Sequence, residues 1–142
     1  MKTLADTQFE LRLLGYRGIN IRRGEVAALH RVMLEDEQII QAVFGSYDNG
    51  FGLIAATNYR ILFVAKKFFR TCTIDMPYES VRTIECDTTL FTGTLTLYAG
   101  VDTLQLRGVK KNRAMEFFNY LNGQVGGKYQ PTAFRSASQG AT

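Results

Sequence analysis

The single histidine, His30, is the only side chain that could serve as the base of a Ser-His-Asp or Cys-His arrangement. It sits in "GEVAALHRVML", where Val26, Leu29, His30 and Met33 recur at i, i+3, i+4 and i+7. That spacing puts the imidazole on the packed face of a short helix, which favours a structural histidine over a general base. Cys72 and Cys86 belong to no C-x-x-C pair, and a metal needs several convergent His, Cys or carboxylate ligands. Glu35, Asp36 and Glu37 form the densest acidic cluster, but they stand at a step between helix and strand, where charges usually belong to a solvated turn. No glycine pattern of the phosphate-cradling kind occurs. The sequence therefore predicts no catalytic residue, no cofactor and no metal: a non-enzyme.

Two basic stretches carry chemistry suited to binding. In "KKFFR", Lys66, Lys67 and Arg70 surround Phe68 and Phe69. Rings that enter a bilayer interface, beside cations worth about 1 kcal/mol each near an anionic surface, are what a weak peripheral membrane contact needs. The same residues also make an ordinary hairpin tip, with lysines guarding strand ends, and that plainer reading stands ahead. They are the candidate lipid or partner contact. In "KKNR", Lys110, Lys111 and Arg113 open a helix where the macrodipole prefers acids, which makes them a candidate anion contact. Loop lysines paired with acids such as Asp102 or Glu116 are the favoured alternative.

The elements that hold these residues follow from the hydrophobic period. Residues 1–34 read as a helical flank in two pieces, the first capped by Thr3, with "GYRGIN" as a loop between them. Beyond "EDEQ" the period becomes that of strands. "QIIQAVFGSY" and "FGLIAATN" flank "DNG", a hairpin signal; "RILFVAK" follows, with "KKFFR" as its turn into "TCTIDM". "TCTIDM" and "VRTIEC" flank "PYES" and read as two arms of one hairpin, with Cys72 and Cys86 as buried free thiols on the core face. "TLTLY" and "TLQLR" alternate cleanly, which makes Leu95, Leu97, Leu104 and Leu106 one buried face. In "KKNRAMEFFNYLNGQV" the stripe Ala114, Phe117, Phe118, Leu121 and Val125 predicts an amphipathic helix, stopped by Gly126 and Gly127. Residues 126–142 lack a period and read as a flexible tail.

Seven strands and a terminal helix point to a pleckstrin-homology (PH) architecture, and particular residues strengthen the likeness. Glu37 to Ile39, "ATNYRILFV" at 56–64, "PYESVRTIE" at 77–85 and Gly93 resemble the bacterial PH-like domains of the YokE type. The likeness implies a mainly β fold: a partly open seven-stranded antiparallel barrel of two near-orthogonal sheets. The C-terminal helix caps it, and short N-terminal helices precede it. The domain then spans 35–125. Eukaryotic relatives commonly hold phosphoinositides at the hairpin loops, but here the first hairpin reads "SYDNGFG" and departs from their basic motif.

Composition agrees with a binding module. Net charge is +4 with the charges interspersed, 46% of residues are hydrophobic, and no apolar run reaches the roughly 20 residues of a membrane span. The few cysteines suit a reducing compartment, and the expected location is cytoplasmic, peripheral to the membrane if the basic loop engages it. The leading reading is protein interaction with a partner or with itself, including homo-oligomeric assembly through strand edges and the N-terminal helices. Peripheral membrane or acidic-lipid binding through Lys66 to Arg70 is the alternative. Nucleic acid is disfavoured, because no patterned aromatic strand face is present.

Overall fold

The computed structural model describes residues 2–48, 50–67, 70–100, 102–125 and 134–136, with the side chains of 102, 125 and 134–136 left aside. Helices α1 (Leu4–Leu13), α2 (Ile19–Arg22) and α3 (Gly24–Val32) precede strands β1 (Ile39–Tyr47), β2 (Gly50–Thr57), β3 (Ile61–Lys67) and β4 (Arg70–Met76). A single 3₁₀ turn at Tyr78–Ser80 leads to β5 (Thr83–Thr88), β6 (Thr92–Ala99) and β7 (Asp102–Lys110), then to α4 (Lys111–Val125) and a short β8 (Phe134–Ser136). The ladder order is β4-β3-β2-β1-β7-β6-β5-β8, antiparallel throughout β1–β7. Its two halves meet at Ser46, which pairs with Arg107. Gly45 permits that junction, since a Cβ there would stand 2.5 Å from the Arg107 carbonyl oxygen.

Two cores hold the ladder. Inside, Ile54, Phe63, Ile84, Leu95, Leu97, Leu104 and Leu106 pack on Ala114, Phe117, Phe118 and Leu121 of α4, as the alternation and the helical stripe predict. Gly93 brings α4 close, because a Cβ there would lie 2.8 Å from that of Ala114. Outside, Leu11, Tyr16, Ile21, Val26 and Leu29 of the helical flank cover Ala42, Phe44, Leu53, Ala55, Leu62 and Val64. Strands β2 and β3 are thus buried on both faces, which explains their continuous apolar runs "LIAA" and "ILFVA". The flank thus covers a sheet face.

Thr3 caps α1 as predicted, in a reciprocal capping box with Asp6. His30 is structural, its Nδ1 lying 2.9 Å from Thr7 Oγ1 and tying α3 to α1. "GYRGIN", read as a loop, runs at its last two residues into the single helical turn α2. The first hairpin turns at "DNG" as predicted, with Gly50 already in β2. Tyr47 pairs with Gly50, and Asp48 takes the positive φ of 47° that an aspartate tolerates.

Two expectations need correction. "TCTIDM" and "VRTIEC" do not form a hairpin: β4 pairs with β3 and β5 with β6, far apart in the ladder. Cys72, paired with Ala65 near the hairpin end of β4, is exposed; Cys86 is buried, and both thiols are free. Burial, aided by Asp87, raises the Cys86 thiol to about 11. The acidic cluster is also not uniformly solvated. Glu35 and Asp36 are exposed, but Glu37 is fully buried. Arg60 grips Glu37 with a fork, Nε to Oε2 and Nη2 to Oε1, both at 2.9 Å. Thr57 Oγ1 donates to Oε2 at 2.6 Å and the Leu34 N–H to Oε1 at 3.0 Å. Burial alone would raise the Glu37 carboxyl, but the bonds from Arg60, Thr57 and Leu34 outweigh it and hold the group below its ordinary value.

The same turn fastens its neighbours. Asn58 Oδ1 accepts from the Gln38 N–H at 2.7 Å, Tyr59 Oη donates to Asp36, and Tyr78 Oη donates to the Thr57 carbonyl. The "E-x-I", "TNYR" and "PYES" motifs therefore meet at one structural clasp. The tail lies outside the described residues except at Phe134–Ser136, which pairs in parallel with Cys86–Thr88 of β5.

Candidate functional site

The β1–β2 and β3–β4 hairpins end side by side, with Phe51 paired to Lys66. Tyr47 stands between them, edge-on to Phe63 at 4.7 Å, and lines two hollows. The larger, about 900 Å³, is bounded by Arg23, Lys66 and Arg107 and by Glu25 and Asp48. The smaller, about 400 Å³, lies against Lys67, Arg70 and Cys72. Of the predicted contact residues, Lys66, Lys67 and Arg70 thus come together at one mouth, and Lys67 closes the hairpin opposite Arg70. Phe68 and Phe69 lie outside the described residues.

The charge of this mouth is mixed. Arg23, just before α3, stacks over Phe51 at 3.6 Å and has Nε 3.3 Å from Glu25. Asp48 lies 3.6 Å from Lys67, with both side chains well exposed, so that pair is weak. Lys66 runs across Gly24, where a Cβ would stand 2.8 Å from Nζ, and it forms no ion pair among the described residues. Three cations against two carboxylates leave the larger hollow only slightly positive. Sequence reasoning missed Arg23 and Arg107, since neither stands in a basic run and only the fold brings them to Lys66.

Beside the mouth runs the outer edge of β4. Arg70 to Thr73 and Asp75 are exposed, and Ile74 is half-buried. The direction of its hydrogen bonds follows from the neighbouring hairpin. The Thr57 N–H donates to the Arg60 carbonyl at 2.8 Å, so that pair is a bonded one. Alternation along the β2–β3 register then turns Ile61, Phe63, Ala65 and Lys67 toward β4. Their partners Met76, Ile74, Cys72 and Arg70 spend their backbone groups on β3, which leaves those of Thr71, Thr73 and Asp75 directed outward. The interior of this edge carries no proline and no lysine, two common guards against strand addition.

The second basic stretch is divided. Arg113 belongs to the scaffold: its guanidinium lies 4.4 Å from the Tyr16 ring and donates to the Leu14 carbonyl, fixing the helical flank to α4. Lys110 ends β7 and Lys111 begins α4; neither forms an ion pair among the described residues. No group of three or more His, Cys, Asp or Glu able to hold a metal occurs among the described residues. No described helix is long and apolar enough to cross a membrane.

Comparisons with known proteins bear on the family and the fold. Residues 33–123 match the family model described as "Bacterial PH domain". The structure is similar to the hSac2 domain of the human phosphoinositide phosphatase Sac2, with TM-score 0.53 and 12% identity over 85% of this chain and 90% of that one. It is also similar to a DUF1696 family protein with a pleckstrin-homology domain from Shewanella loihica PV-4, with TM-score 0.49 and 14% identity over 75% of this chain and 98% of that one. No curated protein sequence matches. At such identity the likeness to the hSac2 domain is one of fold.

Proposed function

Because this chain belongs to the bacterial PH domain family, we propose that it is a non-catalytic binding module acting through protein–protein interaction, with the outer edge of β4 as its docking edge. PH-like domains generally mediate binding, and the YokE type within them is our reading of Glu37 to Ile39, "ATNYRILFV" at 56–64, "PYESVRTIE" at 77–85 and Gly93. The observation that carries the proposal is the unguarded run of outward backbone groups at Thr71, Thr73 and Asp75, on a strand that pairs only with β3 among the described residues. An extended segment added there gains main-chain hydrogen bonds at once. A second copy fits: an antiparallel β4 centred on Thr73 sets Thr73 opposite Thr73 and Thr71 opposite Asp75, so the outward backbone groups of the two strands meet one another. A cytoplasmic location goes with this reading.

The test is light-scattering mass on a size-exclusion column, at two protein and two salt concentrations, for wild type and Thr73→Pro. The substitution removes an outward N–H and leaves the β3 ladder intact. We expect a discrete multimer that survives high salt and that Thr73→Pro reduces to monomer. A wild type that is monomeric throughout refutes self-assembly.

A second reading is acidic-lipid or peripheral membrane contact through Lys66 to Arg70. Lys66, free of ion pairs among the described residues and flanked by Arg23 and Arg107, favours it. Glu25 and Asp48 oppose it, which is why it ranks second. Liposome flotation that is lost in Lys67→Gln with Arg70→Gln would reverse the order.

A further inference from the structure

The β5–β6 turn holds Leu90 and Phe91, each 76% exposed, more than any other large apolar side chain among the described residues. The turn is closed by bonds between Thr89 and Thr92. The Thr89 N–H donates to the Thr92 carbonyl at 2.8 Å, the Thr92 N–H donates to Thr89 Oγ1 at 3.1 Å, and the two hydroxyls stand 3.0 Å apart. The backbone also brings two cations to the tip. Lys110 pairs with Thr92, and the Lys111 N–H donates to the Phe91 carbonyl at 3.1 Å. Neither lysine forms an ion pair among the described residues, and the first turn of α4 holds no acid. The nearest acids along these elements are Asp87, opposite Thr94 on β6, and Glu116, beyond the first turn of α4.

From this juxtaposition we propose that the β5–β6 tip is a membrane anchor, in which Leu90 and Phe91 enter the interface of an anionic bilayer while Lys110 and Lys111 meet its phosphate-bearing headgroups. The shape favours a bilayer over a protein groove: a two-residue tip is convex, and it presents an apolar end with cations behind it, the order of layers in an anionic leaflet. Two apolar side chains and two lysines make a weak, salt-sensitive and reversible contact. The anchor belongs to a different hairpin from the β4 edge and goes beyond the proposed function. With both in use, a partner docked at β4 is held at the membrane surface.

The test is flotation of the full chain with vesicles of phosphatidylcholine alone and of phosphatidylcholine mixed with phosphatidylserine, at low and high salt. Wild type is expected to float only with the anionic vesicles and to be released by salt. Leu90→Ser with Phe91→Ser, and separately Lys110→Gln with Lys111→Gln, are each expected to lower binding about tenfold or more with unchanged melting temperature. Because the chain has no tryptophan, Phe91→Trp adds a single indole reporter whose emission should shift to the blue on anionic vesicles. The proposal is overturned if wild type does not bind anionic vesicles, if Leu90→Ser with Phe91→Ser binds as wild type does, or if the emission of the Phe91→Trp variant stays unshifted. It is also overturned if Lys67→Gln with Arg70→Gln alone abolishes binding, since the lipid contact would then be the mouth.

Discussion

Replacing Arg60 by methionine, which keeps much of the aliphatic stem, should unfold the domain far more readily than its partly exposed position suggests. The Arg60 side chain is 20% exposed, but the carboxylate it serves, Glu37, is 0% exposed and loses both charged donors at once. Thr57 Oγ1 and the Leu34 N–H would remain, two neutral donors for a buried charge. The bond from Arg60 to the Val32 carbonyl and the bridge to Asp75 go as well. Breaking one side of a buried ion pair costs about 3–5 kcal/mol, against a total domain stability of roughly 5–15 kcal/mol. Urea unfolding followed by circular dichroism should show the midpoint fall with an unchanged slope. Glu37→Leu combined with Arg60→Met should recover most of the loss, because it is the orphaned charge that destabilises. A loss below about 1 kcal/mol in Arg60→Met, the range of a solvated surface pair, would refute the reasoning.

Further predictions concern pH, the thiols and the two surfaces. Glu37 has its carboxyl held below the ordinary 4.5, so its stabilising contribution is full above that value and is lost as pH falls through the lowered native one. Unfolding free energy should therefore drop with acid below about pH 4.5, and Glu37→Gln should be less stable at neutral pH yet less acid-sensitive; equal acid slopes in both would contradict this. A disulfide-exchange reagent should label Cys72 promptly in the native protein and Cys86 only at the rate of opening, since Cys72 is exposed and Cys86 is buried with its thiol raised to about 11. Two thiols reacting equally fast would show that the β5 end is open. Thr73→Pro should abolish any salt-resistant multimer without lowering the melting temperature by more than a few degrees, and Leu90→Ser with Phe91→Ser should abolish vesicle binding in the flotation assay.

What the sequence determined by itself was strands β1–β7, helices α1, α3 and α4, and their apolar faces. Alternation at Leu95, Leu97, Leu104 and Leu106 and the stripe from Ala114 to Leu121 are local patterns, and local patterns need no knowledge of neighbours. The cap at Thr3 and the turn at Asp48 were legible for the same reason. The partners of those elements were not. Two strands adjacent in the chain read as a hairpin at "TCTIDM" and "VRTIEC", yet a proline and a 3₁₀ turn carry the chain to the other half of the ladder, which separates Cys72 from Cys86. Glu37 looks solvated beside Glu35 and Asp36 until Arg60, 23 residues on, folds over it. Arg23, Lys66 and Arg107 carry no joint signal, because only the ladder and the helical flank packed on it bring them to one hollow. Leu90 and Phe91 carry no signal in the sequence, since exposure is a property of the assembled surface. Periodicity is written into covalent neighbours and so survives in a sequence; charge pairing, edges and exposure arise between distant segments, and only the tertiary structure decides them.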